Sequence, residues 1–269
     1  MSSRDFDLNQ SRDRLFADPQ APVAAFRFDE RVARVFDDMI ARSVPGYRTI
    51  VTATGLLGER LVSPHSRCYD LGCSLGAVSL ALAQRITAPG CEIIAVDNAW
   101  PMLAQMRRRL APLEPLPTPI RPVCADLADV RIDNASLVVL NFTLQFVPLQ
   151  RRAELIARIH EGLVPGGALI LSEKIALEDP CQQALFTDLH HAFKRAQGYS
   201  ELEIARKRAA LENVLVPEPL TVHRRRLEDA GFASIEVWFQ YFNFLSLIAI
   251  KAPASTKPAS AFTVAATDG

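Results

Sequence analysis

Apolar residues near the N-terminus recur at helical intervals. Phe28, Val32, Val35, Phe36, Met39 and Ile40 follow one another at three- and four-residue spacings, which puts them on one face of an amphipathic helix. Asp29 stands at the N-cap position and Pro45-Gly46 ends the run, with Tyr47 just beyond. A second helical stretch follows over about 47–61. From residue 67 the pattern changes to short apolar runs that end in polar residues, alternating with longer helical segments. That alternation is the mark of a parallel α/β sheet. The runs predict strands at Arg67–Leu71, Glu92–Val96, Ile120–Ala125, Leu137–Phe142 and Ala168–Ser172, with helices near 75–87, 100–110 and 149–163 between them. Pro165-Gly166-Gly167 is read as the end of the third helix. Two further strands, Ile235–Tyr241 and Asn243–Lys251, have almost no linker and must therefore pair antiparallel.

Residues 174–230 break this rhythm with charged, helix-rich sequence, and are expected to cover the sheet as an insertion. The expected organisation is a flexible segment over 1–25, one domain over 26–251 and a disordered tail over 252–269. Composition narrows the function. With 30 basic and 30 acidic residues the chain has no net charge, so a broad nucleic-acid footprint is not expected. Neither a secretory h-region nor a membrane-length apolar run is present, which points to the cytoplasm. The five cysteines are scattered, without a pair or histidine cluster at zinc spacing; free thiols and no metal are expected.

The sharpest local feature is Tyr69-Asp70-Leu71-Gly72-Cys73-Ser74-Leu75-Gly76, where the first strand turns into its helix. Glycine there lets backbone approach a ligand, and the helix start offers free N–H groups. About 20 residues on, the second strand ends in Asp97, whose carboxylate can accept both hydroxyls of a ribose. A pyrophosphate-binding loop would carry glycine where Ser74 stands, so a dinucleotide fits poorly. Asp126 and Asn141 bring two more polar groups to the carboxyl edge of the sheet, where ligands of open α/β sheets bind. Asp126, with the backbone of Leu127, is placed to meet an adenine ring, or else is a helix N-cap. Asn141 faces a ligand amino group or a neighbouring loop. In the insertion, Arg206-Lys207-Arg208 is either a solvated helix face or the source of one inward cation for a carboxylate. His190-His191 lack a ligand cluster for a metal and read equally as helix-surface residues, Arg107-Arg108-Arg109 and Arg224-Arg225-Arg226 most simply as exposed helix charges, and Trp238-Phe239 as core or interface.

From Phe28 to Lys251 the chain resembles the carboxy-S-adenosyl-L-methionine synthases. The motifs are Phe28 to Ala33, Arg42 to Tyr47, Tyr69 to Ala77, Asn134 to Phe146, Gly198 to Ile204 with Lys207-Arg208, and Trp238 to Phe244. The resemblance implies a doubly wound, mostly parallel seven-stranded sheet of the class I methyltransferase type, with an antiparallel last strand and a helical insertion. It implies that Tyr47, Gly72, Cys73, Ser74, Asp97, Asn98, Asp126, Leu127 and Asn141 contact S-adenosyl-L-methionine, and that Arg208 holds the transferred carboxylate. The implied reaction joins S-adenosyl-L-methionine and prephenate to give carboxy-S-adenosyl-L-methionine and phenylpyruvate, the product passing to a tRNA carboxymethyl transferase for wobble-uridine modification. A homodimer is also implied. The alternatives are an ordinary methyltransferase acting on a small molecule or RNA, which needs no cation over the sulfonium, and a catalytically silent cofactor-binding partner.

Overall fold

The computed structural model describes residues 12–254. Seven strands form one sheet: β1 (Arg67–Leu71), β2 (Glu92–Asp97), β3 (Ile120–Cys124), β4 (Ala135–Asn141), β5 (Leu163–Lys174), β6 (Phe232–Tyr241) and β7 (Phe244–Lys251). Their order is β3-β2-β1-β4-β5-β7-β6. Neighbours among β1 to β5 pair in parallel, and β7 runs antiparallel to both β5 and β6. The strands must therefore lie one way except β7, which is the topology expected above. Reversal of chain order at β1, with β2 on one side and β4 on the other, opens the crevice in which ligands of such sheets bind.

The helices are α1 (Glu30–Ser43), α2 (Tyr47–Leu61), α3 (Ala77–Ala83), α4 (Trp100–Leu110), α5 (Leu149–Gly162), α6 (Pro180–Ala196), α7 (Glu201–Leu211) and α8 (Leu220–Asp229). Alternate strand residues feed two cores, because successive side chains point to opposite faces. Cys68, Ile93, Leu137, Val139 and Ile170 pack with Val78 and Leu82 of α3, while Tyr69, Leu71, Val138, Leu140 and Leu171 pack with Leu155, Ile156 and Ile159 of α5 and Leu227 of α8. At the carboxyl end of the sheet, Val32, Val35, Phe36 and Met39 of α1 meet Leu75, Met102 and Ala210. The Asp29 carboxylate accepts the N–H groups of Arg31 and Val32, the cap expected from sequence.

Three expectations are corrected. Pro165-Gly166-Gly167 lies inside β5, after α5 has ended at Gly162. Gly166 has φ +78, and the β4–β5 register shifts between Ala135 and Leu137, so the glycines make an irregularity in the strand rather than a helix stop. α3 is only seven residues long, much shorter than the apolar spacing indicated. Residues 12–25 are not a loose segment: Asp13 is buried, and the Arg206 guanidinium donates to the carbonyls of Pro19 and Ala21. Residues 1–11 and most of the expected tail lie outside the described residues.

Candidate active site

All ten residues singled out from sequence line one cavity of about 850 Å3, near the upper end of the range for small-molecule sites. It lies between the carboxyl edge of the sheet and the helices α1, α6 and α7.

On the sheet side the loop after β1 is fixed by its own polar groups. Asp70 is buried, and its Oδ2 accepts from the Ser79 N–H at 3.0 Å and the Ser79 hydroxyl at 2.6 Å, tying strand to helix. Burial pushes the Asp70 carboxyl up to about 6, opposed by these bonds. Gly72 has φ +80, and a Cβ there would lie 2.4 Å from the Thr143 side chain. No other residue suits that position. Ser74, in place of a glycine, still adopts φ +50. The loop N–H groups are partly spent: Gly72 and Cys73 both donate to the Val96 carbonyl, and Ser74 donates to Asp97 Oδ2 at 2.9 Å.

Asp97 Oδ1 also accepts from the Ala99 N–H at 2.8 Å. Each of its oxygens therefore keeps a lone pair for a hydroxyl ligand. Burial raises its pKa, while the Ala99 and Ser74 bonds oppose the rise. Asp126 Oδ1 accepts the Ala128 N–H at 2.9 Å in a turn that starts no helix, and the residue lines the cavity. Beside it the Leu127 carbonyl accepts from Arg158 at 3.2 Å. Asn141 ends β4 with a buried Oδ1 that has no partner. A buried orphan acceptor is costly unless a ligand donor meets it, so the site fits a ligand with an N–H group. Cys73 turns its thiol to Met106, 3.8 Å between sulfurs, leaving backbone for the ligand. Exposed Asn98 forms the rim. Tyr47 opens α2 with its ring 6.4 Å from that of Phe142, and burial, aided by the nearby acids Asp70 and Asp37, raises its pKa so that it stays neutral.

On the helical side Arg206-Lys207-Arg208 proves to be three residues with three environments. Arg206 holds the Pro19 and Ala21 carbonyls. Lys207 is buried, donates to Ser43 Oγ at 2.8 Å and lies 3.7 Å from Asp13 Oδ2. Burial pushes its pKa down to about 8, with Asp13 opposing. Arg208 lines the cavity and has no hydrogen bond or ion pair among the described residues. The reading of this run as a solvated face therefore fails for buried Lys207 and half-buried Arg206, whereas Arg208 is exposed on the cavity wall. His190 is corrected too: it is buried and its Nε2 donates to the Ser43 carbonyl at 2.8 Å, while burial drives its pKa down to about 2 and keeps it neutral. Arg109 pairs with Asp37 at 2.5 Å, and Arg226 binds Glu218 at 2.6 Å. Trp238 packs partly buried against the α2–α3 side of the sheet.

Sequence reasoning assigned no role to Asp13, Arg152, Lys174 and Lys194. Asp13 accepts the Tyr199 hydroxyl at 2.6 Å and joins the N-terminal segment to the α6–α7 turn. Arg152 is fully buried, bonded to Glu218 at 2.5 Å and to the carbonyls of Gln145, Val147 and Val216, fastening the chain before α8 to the sheet. Lys174 and Lys194 both line the cavity. A signal for Lys194 was present in the sequence: Gln183, Thr187, His190 and Lys194 form a polar stripe at helical spacing, and all four reach the cavity. Among the described residues no group of three or more His, Cys, Asp or Glu side chains is placed to hold a metal ion.

The sheet order and the cavity at its carboxyl edge define a class I S-adenosylmethionine-dependent methyltransferase fold. A family profile described as a methyltransferase domain matches residues 69–167. A putative S-adenosyl-L-methionine-dependent methyltransferase of Methanococcus maripaludis superimposes with a TM-score of 0.56 at 20% identity, covering 88% of this chain and 100% of that one. At sequence level the match is far closer. The carboxy-S-adenosyl-L-methionine synthase of Trichlorobacter lovleyi is 56% identical over 244 residues, 91% of this chain and 100% of that protein. The enzyme of the same name from Geobacter metallireducens is 56% identical over 245 residues, again 91% and 100%. The chain belongs to the carboxy-S-adenosyl-L-methionine synthase family.

Proposed function

We propose that this protein converts S-adenosyl-L-methionine and prephenate into carboxy-S-adenosyl-L-methionine and phenylpyruvate. The observation that carries the reading is Arg208, a guanidinium without an internal partner on the wall of the cavity that also holds the Gly72–Ser74 loop, Asp97 and Asn141. A simple methyl donor needs no such group. A carboxylated one does, and a guanidinium keeps its charge on desolvation and matches a carboxylate in bidentate fashion.

In this reading Asp97 receives the ribose hydroxyls, Asp126 the adenine amino group and Asn141 Oδ1 a ligand N–H. The chemistry is then supplied by the two substrates. The sulfonium acidifies its methyl C–H, while prephenate becomes aromatic by losing carbon dioxide and its ring hydroxide. The methyl carbon gives up a proton and forms a bond to the released carbon dioxide; proton and hydroxide leave as water. The protein's part is enclosure and orientation, which keep the gas from escaping and bulk water from competing. Arg208 meets the carboxylate as it forms. The reaction takes place in the cytoplasm, in a homodimer and without a metal, and the product serves a tRNA carboxymethyl transferase at the wobble uridine. Among the described residues no helix is long and apolar enough to cross a membrane.

The test is incubation of purified protein with S-adenosyl-L-methionine and prephenate, followed by mass spectrometry. A donor heavier by one carbon dioxide is expected together with phenylpyruvate. An Arg208→Ala variant is expected to lose at least about tenfold in affinity for the carboxylated product while binding the parent sulfonium normally. Equal loss of both would contradict the role given to Arg208, and methylation of an added acceptor without phenylpyruvate would favour a methyltransferase.

A further inference from the structure

Beyond Arg208, the cavity carries cations, on α6, α7 and the end of β5, for which the reaction above has not yet accounted. Lys174 ends β5, Lys194 lies near the end of α6, and Lys207 and Arg208 follow on α7. All four line the cavity, alongside His190 and His191. They influence one another. Burial lowers Lys194 to about 7, with Lys207 and Lys174 adding to the fall. Burial and Arg208 lower Lys174, and His191 is lowered by burial, Lys194, Arg208 and Lys174.

The anions do not balance them. Asp13 is taken by Lys207 and Tyr199. Asp188 acts on His191, which is half-buried, and Glu212 is an exposed residue just after α7. Lys194 is only 8% exposed, yet its ammonium has neither a hydrogen bond nor an ion pair among the described residues. Lys174 has a distant aromatic neighbour, its Nζ 5.9 Å from the Phe244 ring centre. A buried cation without a partner is strongly unfavourable in an isolated protein. Lys194, with half-buried Lys174 beside the Phe244 ring on the same cavity wall, is relieved when a carboxylate enters, because an opposite charge restores the protonated form.

We propose that Lys194 and Lys174 form a second anion subsite that binds the retained keto-acid carboxylate of the dianionic co-substrate, separate from the carboxylate that passes to Arg208. This rests on the reaction proposed above. Prephenate carries two carboxylates: one leaves the ring as carbon dioxide and the other stays on phenylpyruvate. A cavity with two cationic stations, Arg208 at one and the paired lysines at the other, orients the molecule so that only the ring carboxylate faces the sulfonium. Lys194 and Lys174 are thus specificity-determining residues that reject acids with a single carboxylate.

The proposal is tested by titrating prephenate calorimetrically into wild-type protein and the Lys194→Met and Lys194→Arg variants, each saturated with S-adenosylhomocysteine. Turnover is measured in parallel. The expected result is at least about a tenfold loss of prephenate affinity in Lys194→Met, with recovery of most of it in Lys194→Arg and an affinity for S-adenosylhomocysteine within about twofold of wild type. Unchanged affinity for prephenate in Lys194→Met overturns the subsite. So does a parallel loss of S-adenosylhomocysteine binding, which would make Lys194 a structural residue. If wild type produces no carboxylated product but binds prephenate through Lys194, the reaction fails and the subsite stands. If wild type does not bind prephenate at all, both fall.

Discussion

On the sheet side of the cavity Asp70, Asp97 and Asp126 each accept at least one backbone N–H from a residue close by in the chain or the adjoining loop. On the helical side Lys194 and Arg208 meet no acid or carbonyl among the described residues. The difference follows from what each element has to offer. Strand-to-helix loops expose N–H groups that can hold carboxylates in place. Carbonyls inside α6 and α7 are used by the helices themselves, so cations there depend on a side-chain acid or on a ligand. The sheet wall is therefore preformed, and the helical wall is completed by an anionic substrate.

The largest test of that contrast is Asp13→Ala, which removes the acid balancing Lys207. Leaving a buried charge unpaired is expected to cost about 3–5 kcal/mol, read from urea denaturation at pH 7. Asp13→Ala combined with Lys207→Met should recover much of the loss. A loss below about 1 kcal/mol would show that cations on this wall do not need their anions, and would break the comparison.

A smaller effect is expected at Gly72→Ala. The residue must keep φ +80 with its Cβ 2.4 Å from Thr143, a strain of about 1–3 kcal/mol. The loop gives way, and affinity for S-adenosylhomocysteine should fall about tenfold by calorimetry. If prephenate binding to the ligand-saturated variant falls equally, the two walls are not independent.

Glu173→Gln is expected to change least near pH 5 and to act mainly through pH. Glu173 is the exception on the sheet side: buried at the end of β5, it accepts the Leu144 N–H through Oε1 but leaves Oε2 without a partner. Burial raises its pKa from 4.5 to about 8. The folded state therefore keeps a proton that the unfolded state has lost between those values, and this contribution to stability is lost as pH rises from about 4.5 through about 8. Gln mimics the protonated acid at every pH. The variant should thus show a flatter melting temperature between pH 5 and 9 than wild type, with the gap widest at the alkaline end. A wild-type profile that rises with pH, and loses that rise in the variant, would show that the acid is ionised in the fold.

The α/β order, the β1 loop and the ribose acid were legible because they are written locally. Apolar runs of about five residues ending in Asp70, Asp97, Cys124 and Asn141 place those ends at one sheet edge whatever surrounds them. The resemblance added Tyr47 and Arg208, and both line the same cavity. The helical wall was read less well. A run of Arg206, Lys207 and Arg208 has the same sequence appearance whether it faces water or not, and it is the N-terminal segment folding over α7 that sorts them.

From its sequence alone this protein settles the two periodicities, the strand ends and the tight glycine turn, since each depends on neighbours a few residues away. Tertiary structure decided which cations are buried, that Asp13 is the counterion of Lys207 across the width of the chain, and that Lys174 and Lys194 share a cavity with Arg208. Burial of a charge is a property of everything packed around it, and no local pattern contains that.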